Sequence, residues 1–340
     1  MKYDDPRLEP LRNELISILK FWLSLGVVGF RCDMANSLVK DPHFDSSNPK
    51  DNAGNKWVWN KIMTAVKTDY PDCIFISEWV NANNAINIAG FDIDFYTHDV
   101  LPYNALFRCE KNTNLVPELE TGINYFSLKD GGSFDSFLER YLSDLEKVDG
   151  KGYFSVITGS HDEIRISEQK DEEIMKCIFA FLLTIKHVPF IYYGDEIGMK
   201  HDFNVSKDGG FLRTGARAPM IWDNTENRGF SKNKNVYLPL GQTKSISDNE
   251  IDEYSLLNIV RKLIALRKSH SCLMADANIE FTHTKDYLQF RRFDSKEEII
   301  IFINHKGIEL NIGNLGELLY SYNLDNNKFI GKGFAIIKAK

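Results

Sequence analysis

The stretch GVVGFRCDMAN, Gly26–Asn36, decides how the chain folds. It opens as an apolar run and closes on Arg31 and Asp33, opposite charges two positions apart. Side chains alternate along a strand, so Arg31 and Asp33 share one face while Phe30 and Cys32 share the other. By itself the pair reads as a surface ion pair at a strand end, which adds little stability. The alternative is a carboxylate held ionised for chemistry by the guanidinium beside it. The flanking sequence separates the two.

Ahead of the stretch, Leu8, Leu11, Leu15, Ile18, Leu19, Trp22 and Leu25 recur at helical spacing. Asp4 or Asp5 with Pro6 starts this helix and Gly26 stops it. The strand Val27–Arg31 follows, then a loop rich in Asp, Asn, Ser and Pro over Asp41–Asn55. A helix around Trp57–Thr68, stopped by Pro71, leads to the strand Cys73–Ser77, and Phe91–Phe95 is a third strand. A helix over Phe134–Lys147 leads to the strand Tyr153–Thr158, and one over Glu172–Lys186 leads to Val188–Tyr193. An irregular span, 194–253, precedes the helix Ser255–His270. Beyond it, Tyr287–Arg292, Glu298–Ile303 and Phe334–Lys338 read as short strands joined by turns such as Asp325-Asn326-Asn327. A domain boundary is placed near 271, giving residues 1–270 and a small all-β domain over 271–340.

The 340 residues are 43% hydrophobic and 26% charged, enough for a large core. A net charge of −7 argues against a nucleic-acid surface. No apolar run has the length of a bilayer span, and the charged opening MKYDDPRLEP is no secretory leader. The five cysteines, Cys32, Cys73, Cys109, Cys177 and Cys272, are scattered without a CxxC pair. They read as buried thiols in a reducing compartment, so a cytoplasmic location is expected.

Strands alternating with helices indicate a parallel sheet, open or closed into a barrel. Polar residues at successive strand ends favour a (β/α)8 barrel, where chemistry gathers at the carboxyl ends of strands. Arg31 and Asp33 end the first strand, Glu78 the second, and His161-Asp162 follow the fourth. Asp195-Glu196 follow the fifth and carry no assigned role. No GxGxxG or P-loop turn follows any strand, and the eight histidines form no HxH or HExxH cluster. Nucleotide-binding and metal-dependent readings therefore recede.

Carboxylates flanking one bond are the minimum for glycoside hydrolysis, provided their environments keep them in different protonation states. Arg31 favours the anion of Asp33, which suits a nucleophile. Glu78, set among Ile74, Phe75, Ile76 and Trp79, is expected to be raised by desolvation, as a general acid requires. Asp162 would be a third carboxylate. Each has a plain structural alternative: Glu78 a satisfied strand-end acid, His161-Asp162 a helix cap. Trp57, Trp59, Trp79 and Trp222 are sugar-stacking candidates or core.

These residues resemble motifs of glycoside hydrolase family 13, the α-amylase family. GFRCDMA (Gly29–Ala35) resembles the nucleophile motif, FISEW (Phe75–Trp79) the acid/base motif, and GSHD (Gly159–Asp162) the Asn-His-Asp motif. FIYYGDEIGM (Phe190–Met199), RTGARAPMIWDNTENRGFS (Arg213–Ser231) and SLLNIVRKLIALRKSH (Ser255–His270) resemble later segments in the right order. The resemblance implies Asp33 as nucleophile, Glu78 as acid/base and Asp162 as transition-state stabiliser, with Arg31, His161, Arg165 and Trp79 on substrate. It implies a retaining α-glycosidase acting on maltodextrins or α-glucans, at α-1,4 links, with no cofactor assigned. Ser160 stands where the family usually has Asn, and Ile221 where relatives usually have Gln. The family's first motif, on its third strand, has no match, so calcium is not assignable. The chain is expected to be an amino-terminally truncated member, with barrel strands 4–8 followed by an antiparallel β-sandwich domain. An inactive or sugar-binding half that needs a complementing chain, and a transglucosylase, are the alternatives. A transporter-associated or pseudoenzyme member is disfavoured because all three carboxylates are present.

Overall fold

The computed structural model describes residues 3–39, 53–97, 100–108, 123–128, 132–207 and 211–340. The loop expected over Asp41–Asn55 lies outside these residues as far as 52, and so does Cys109. Along the chain come α1 (Glu9–Ser24), β1 (Gly29–Cys32), α2 (Ala53–Asp69), β2 (Ile74–Ser77), β3 (Ile93–Tyr96) and α3 (Leu101–Phe107). Then come α4 (Asp135–Val148), β4 (Tyr153–Val156), α5 (Glu172–Leu182), α6 (Ile246–Ile251) and α7 (Leu256–Ser269). Five strands close the chain: β5 (Asn278–Phe281), β6 (Leu288–Phe293), β7 (Glu298–Asn304), β8 (Gly316–Asp325) and β9 (Lys328–Ala339). Contacts divide the chain into two compact units, Met1–Tyr96 with Glu139–Ser155, and Thr97–Leu138 with Val156–Lys340.

In the first unit the strands lie in the order β1-β2-β3-β4, with β1–β2 and β2–β3 parallel. The first helix starts as its sequence indicates: the Asp5 carboxylate accepts from the Arg7 N–H and Pro6 opens a 3-10 turn. Gly26, at φ +97, ends it. Phe75, Val58, Ile62, Trp79, Phe91 and Cys32 form the core between helices and sheet. At Gly29 a Cβ would stand 2.4 Å from the Ile74 carbonyl oxygen, so glycine lets β1 and β2 approach. The apolar stripe of α1 is only partly covered. Leu15 and Leu19 pack on the core, while Leu11, Ile18, Phe21, Trp22 and Leu25 are exposed, beside a Val28 that is 77% exposed. Among the described residues no strand pairs with the outer edge of β1.

In the second unit α5 is buried along most of its length, its N-terminus capped by the Asp171 carboxylate accepting from the Ile174 N–H at 2.8 Å. Two buried arginines collect the carbonyls beyond its far end: Arg267 takes Leu183 (2.9 Å) and His187 (2.6 Å), and Arg292 takes Thr184 (2.5 Å). The closing strands form one antiparallel sheet, β5-β6-β7-β9-β8. The β8–β9 hairpin turns at Asn326 and Asn327, both at positive φ, as a tight turn of that twist requires. Val188–Tyr193 departs from the regular strand expected there. Pro189 has no N–H to give a ladder, and the Tyr192 N–H goes to the Thr158 hydroxyl at 2.9 Å. The Thr158 N–H bond to the Phe190 carbonyl, 3.1 Å, links the two segments.

Candidate active site

Asp33 and Glu78 each stand one residue beyond paired strand ends, where Cys32 sits opposite Ser77. The backbone continues the pairing past the sheet: Glu78 N–H donates to the Cys32 carbonyl (3.1 Å) and Ala35 N–H to the Glu78 carbonyl (3.2 Å). Met34 between them is left-handed, φ +43, and its N–H donates to Glu78 Oε2 at 3.1 Å. Arg31 bridges the two carboxylates, one nitrogen on Asp33 and the other on Glu78 Oε2 at 2.7 Å. The side chain of Asp33 is 72% exposed and that of Glu78 only 18%. Burial pushes the Glu78 carboxyl above the ordinary range, and the Asp33 charge adds to this against the pull of the Met34 N–H and Arg31. The two carboxyl groups therefore sit in different environments, the condition under which a neighbouring pair can hold different protonation states. Cys32 points away into the core, its thiol pushed up to about 12 by burial.

Asp162 belongs to the second unit. Its Oδ1 accepts from Arg213 (3.0 Å) and Arg217 (2.9 Å), and its Oδ2 lies 3.3 Å from His161 Nε2. Arg217 also donates to the His161 carbonyl at 2.9 Å. Behind this exposed corner lies a buried frame. Arg108 donates to the carbonyls of Thr158 (2.9 Å) and Ile164 (2.8 Å) and pairs with Glu163 at 3.1 Å. Arg213 and Arg217 have no assigned role in the sequence reading. Their signal was there, two arginines four apart in the polar RTGAR segment, but nothing local says what they hold.

Two residues expected on substrate lie elsewhere. Arg165 is wholly buried, paired with Asp195 at 2.9 Å and donating to the carbonyls of Tyr193 and Ala216. It touches the site through Arg217, whose neighbours are pinned at Ala216 by Arg165 (2.8 Å) and at Ala218 by the Tyr193 hydroxyl (2.7 Å). Trp79 is 4% exposed and edge-on to Phe91 in the core. Arg31 and His161 are accessible. Beside Arg217 lies a groove of about 510 Å³ lined by Tyr193, Glu196, Trp222, Phe230 and Tyr237. Glu196 Oε2 is buried there without a hydrogen-bond partner among the described residues. Among the described residues no three His, Cys, Asp or Glu side chains gather as a metal set, and no helix is long and apolar enough to cross a membrane.

Residues 4–276 match the family described as "Alpha amylase, catalytic domain". The chain belongs to the alpha-amylase family. Its curated relatives include the amino acid transporter heavy chain SLC3A1 of Homo sapiens, 25% identical over 87% of this chain and 45% of that protein. They also include the oligo-1,6-glucosidase of Parageobacillus thermoglucosidasius, 25% identical over 89% of this chain and 61% of that protein. Alpha-amylase 3 of Dictyoglomus thermophilum is 27% identical over 91% of this chain and 55% of its own length. The chain thus spans about half the length of the curated relatives it matches. The trehalulose synthase MutB of Pseudomonas mesoacidophila MX-45 shares the fold with TM-score 0.81 at 19% identity, over 100% of this chain and 69% of that one. The barrel-type fold with a C-terminal β domain, expected from the strand-end motifs, is thereby shown. Two departures from the alpha-amylase family pattern have local explanations. Ser160 accepts the Asp162 N–H at 3.2 Å, and Ile221 is buried among Met199, Met220 and Leu257, where an amide would lack partners.

Proposed function

We propose that the protein is a retaining α-glycosidase that cleaves α-glucosidic bonds in maltodextrins or related α-glucans. The observation that carries this is the Arg31-bridged pair, one exposed carboxylate beside one half-buried carboxyl raised above its usual range. Asp33 attacks the anomeric carbon while Glu78 protonates the departing oxygen. A glycosyl ester forms on Asp33, and Glu78 then takes the proton of the incoming water. Asp162, in the grip of Arg213 and Arg217, holds ring hydroxyls as positive charge develops, with His161 beside it. Within the second unit, the groove beside Arg217 offers the faces of Tyr193, Trp222, Phe230 and Tyr237 to a sugar ring. Residues 1–270 carry this chemistry and 271–340 form the appended β domain. The four described cysteines, all free and buried, fit a reducing compartment such as the cytoplasm. The three carboxylates favour an enzyme over a role like that named for the transporter heavy chain.

The test is covalent trapping with a fluorinated α-glucosyl fluoride, followed by peptide mass analysis. A glucosyl adduct on the peptide holding Asp33, and a loss of about 10³-fold or more in turnover for Asp33→Asn, are the expected results. A label on another carboxylate, or near-normal turnover in the variant, refutes the assignment.

A second reading concerns partners. The exposed face of α1 and the outer edge of β1 form an apolar surface of the kind that marks an interaction site. We propose that a complementing chain supplies a βα segment that adds a strand to β1 and covers Trp22, Phe21 and Leu25.

A further inference from the structure

The corner that carries Glu78 is wound around a second, wholly buried carboxylate that the chemistry above does not use. Asp94 on β3 is 1% exposed and lies opposite Ser77 in the β2–β3 register. It accepts from the Ser77 hydroxyl (2.8 Å) and then from three successive backbone N–H groups: Trp79 (3.0 Å), Val80 (3.4 Å) and Asn81 (2.8 Å). Consecutive N–H groups around one anion form a nest, a concavity that normally receives a phosphate or carboxylate from outside. Here the anion is built in. Winding three donors onto one group forces the backbone at Val80 to φ +61, a conformation that a β-branched side chain opposes. Burial pushes the Asp94 carboxyl up to about 6, and the hydrogen bonds from Ser77, Trp79 and Asn81 pull the other way by favouring its anion. The corner then feeds a short helical segment, since Asn81 Oδ1 accepts from the Asn84 N–H at 3.1 Å.

Glu78 lies between Ser77 and Trp79, and both of these neighbours are tied to Asp94. Its own N–H and carbonyl are tied to Cys32 and Ala35. With the backbone clamped on both sides, the carboxyl is aimed at Met34 N–H and Arg31. We propose that Asp94 is a positioning residue for the acid/base glutamate, the internal anion that holds the Ser77–Asn81 corner and so the direction of Glu78. This rests on the glycosidase reading only for its catalytic consequence; the anchoring of the corner stands apart from it.

The experiment uses the full chain with Asp94→Asn, which keeps the size and removes the anion, and with Asp94→Asn/Val80→Gly. Glycine at 80 accepts a positive φ without strain, so it restores the corner without the nest. Hydrogen exchange by mass spectrometry is expected to rise at least about tenfold in peptides covering 79–81 of Asp94→Asn while β2 stays protected. The double variant is expected to recover part of that protection. Turnover of an aryl α-glucoside should fall about 10–100-fold in kcat with KM within about twofold, as for a misplaced catalytic group, and should also be partly rescued by Val80→Gly. Unchanged exchange at 79–81, a rise spread evenly over the unit, or identical single and double variants each overturn the proposal. Should Asp94→Asn fail to fold, Ser77→Ala removes a single donor and must raise exchange in the same segment by a smaller factor; no rise overturns the proposal. A wild-type chain that turns over no α-glucoside counts against the glycosidase reading alone, because the exchange measurement still decides the role of Asp94.

Discussion

Replacing Arg165 by methionine separates a residue that touches substrate from one that holds the scaffold. Both Arg165 and Asp195 have fully buried side chains, 2.9 Å apart. The guanidinium also serves the carbonyls of Tyr193 and Ala216 and lies over the rings of Tyr192 (4.6 Å) and Tyr193 (4.9 Å). Arg165→Met leaves the Asp195 carboxylate with the Thr158 hydroxyl at 2.8 Å but without the ion partner on its other oxygen. Removing one member of a buried pair costs about 3–5 kcal/mol, mostly because the other charge stays buried. Asp195→Asn, which strands the guanidinium, falls in the same range. Arg165→Met/Asp195→Asn removes both charges, so the double variant should cost little more than either single, a coupling of about 3–4 kcal/mol. The assay is urea unfolding of the four proteins at pH 7, with thermal midpoints as a check; each single variant should melt roughly 4–7 °C lower. Additive costs would refute the pairing argument. An Arg165→Met variant of unchanged stability whose KM alone rises would show that the guanidinium meets substrate after all.

Burial and the nearby Arg108 and Lys200 charges hold the Lys170 ammonium down at about 7, against 10.5 for an ordinary lysine. The folded chain therefore binds fewer protons than the unfolded chain between those values, so its stability rises with pH across that window and is lowest below it. The contribution is about 5 kcal/mol at most, reduced by the ammonium's bonds to the Phe107 and Glu168 carbonyls. Urea unfolding from pH 6.5 to 10.5 should show that slope in the wild type and its loss in Lys170→Met; equal slopes would sink the argument. On the exposed face of α1, the wild-type chain is expected to self-associate at about 50 µM in sedimentation velocity and Phe21→Lys/Trp22→Glu to run as a monomer, since an exposed apolar patch of this kind is an association surface. A wild-type chain that is monomeric under those conditions would rule out self-association through this face.

The parts legible in the sequence are those whose logic is local. Arg31 and Asp33 share a face because strand side chains alternate, and the raised state of Glu78 follows from the apolar residues on either side of it. The Asn326-Asn327 turn is legible for the same reason, two residues that tolerate positive φ between two apolar runs. Arg165 and Trp79 mark the limit. A charge or an indole near a strand end is equally consistent with facing ligand or facing the frame, and only the packing puts Arg165 against Asp195 and Trp79 against Phe91.

Asp94 shows why the remainder stays hidden. Its partners lie 13 to 17 positions away and meet it through the β2–β3 register, which no spacing in FDIDFY reveals. Nor does Val80 advertise its strained backbone, since a β-branched residue is poorly suited to that conformation. The two oddities explain each other only in three dimensions: an anion is buried without benefit to the core, and a β-branched residue is bent the wrong way around it. Either would be disfavoured if folding stability were the only requirement. Their occurrence together, at the corner that holds Glu78, is what the proposed acid/base role of Glu78 would require.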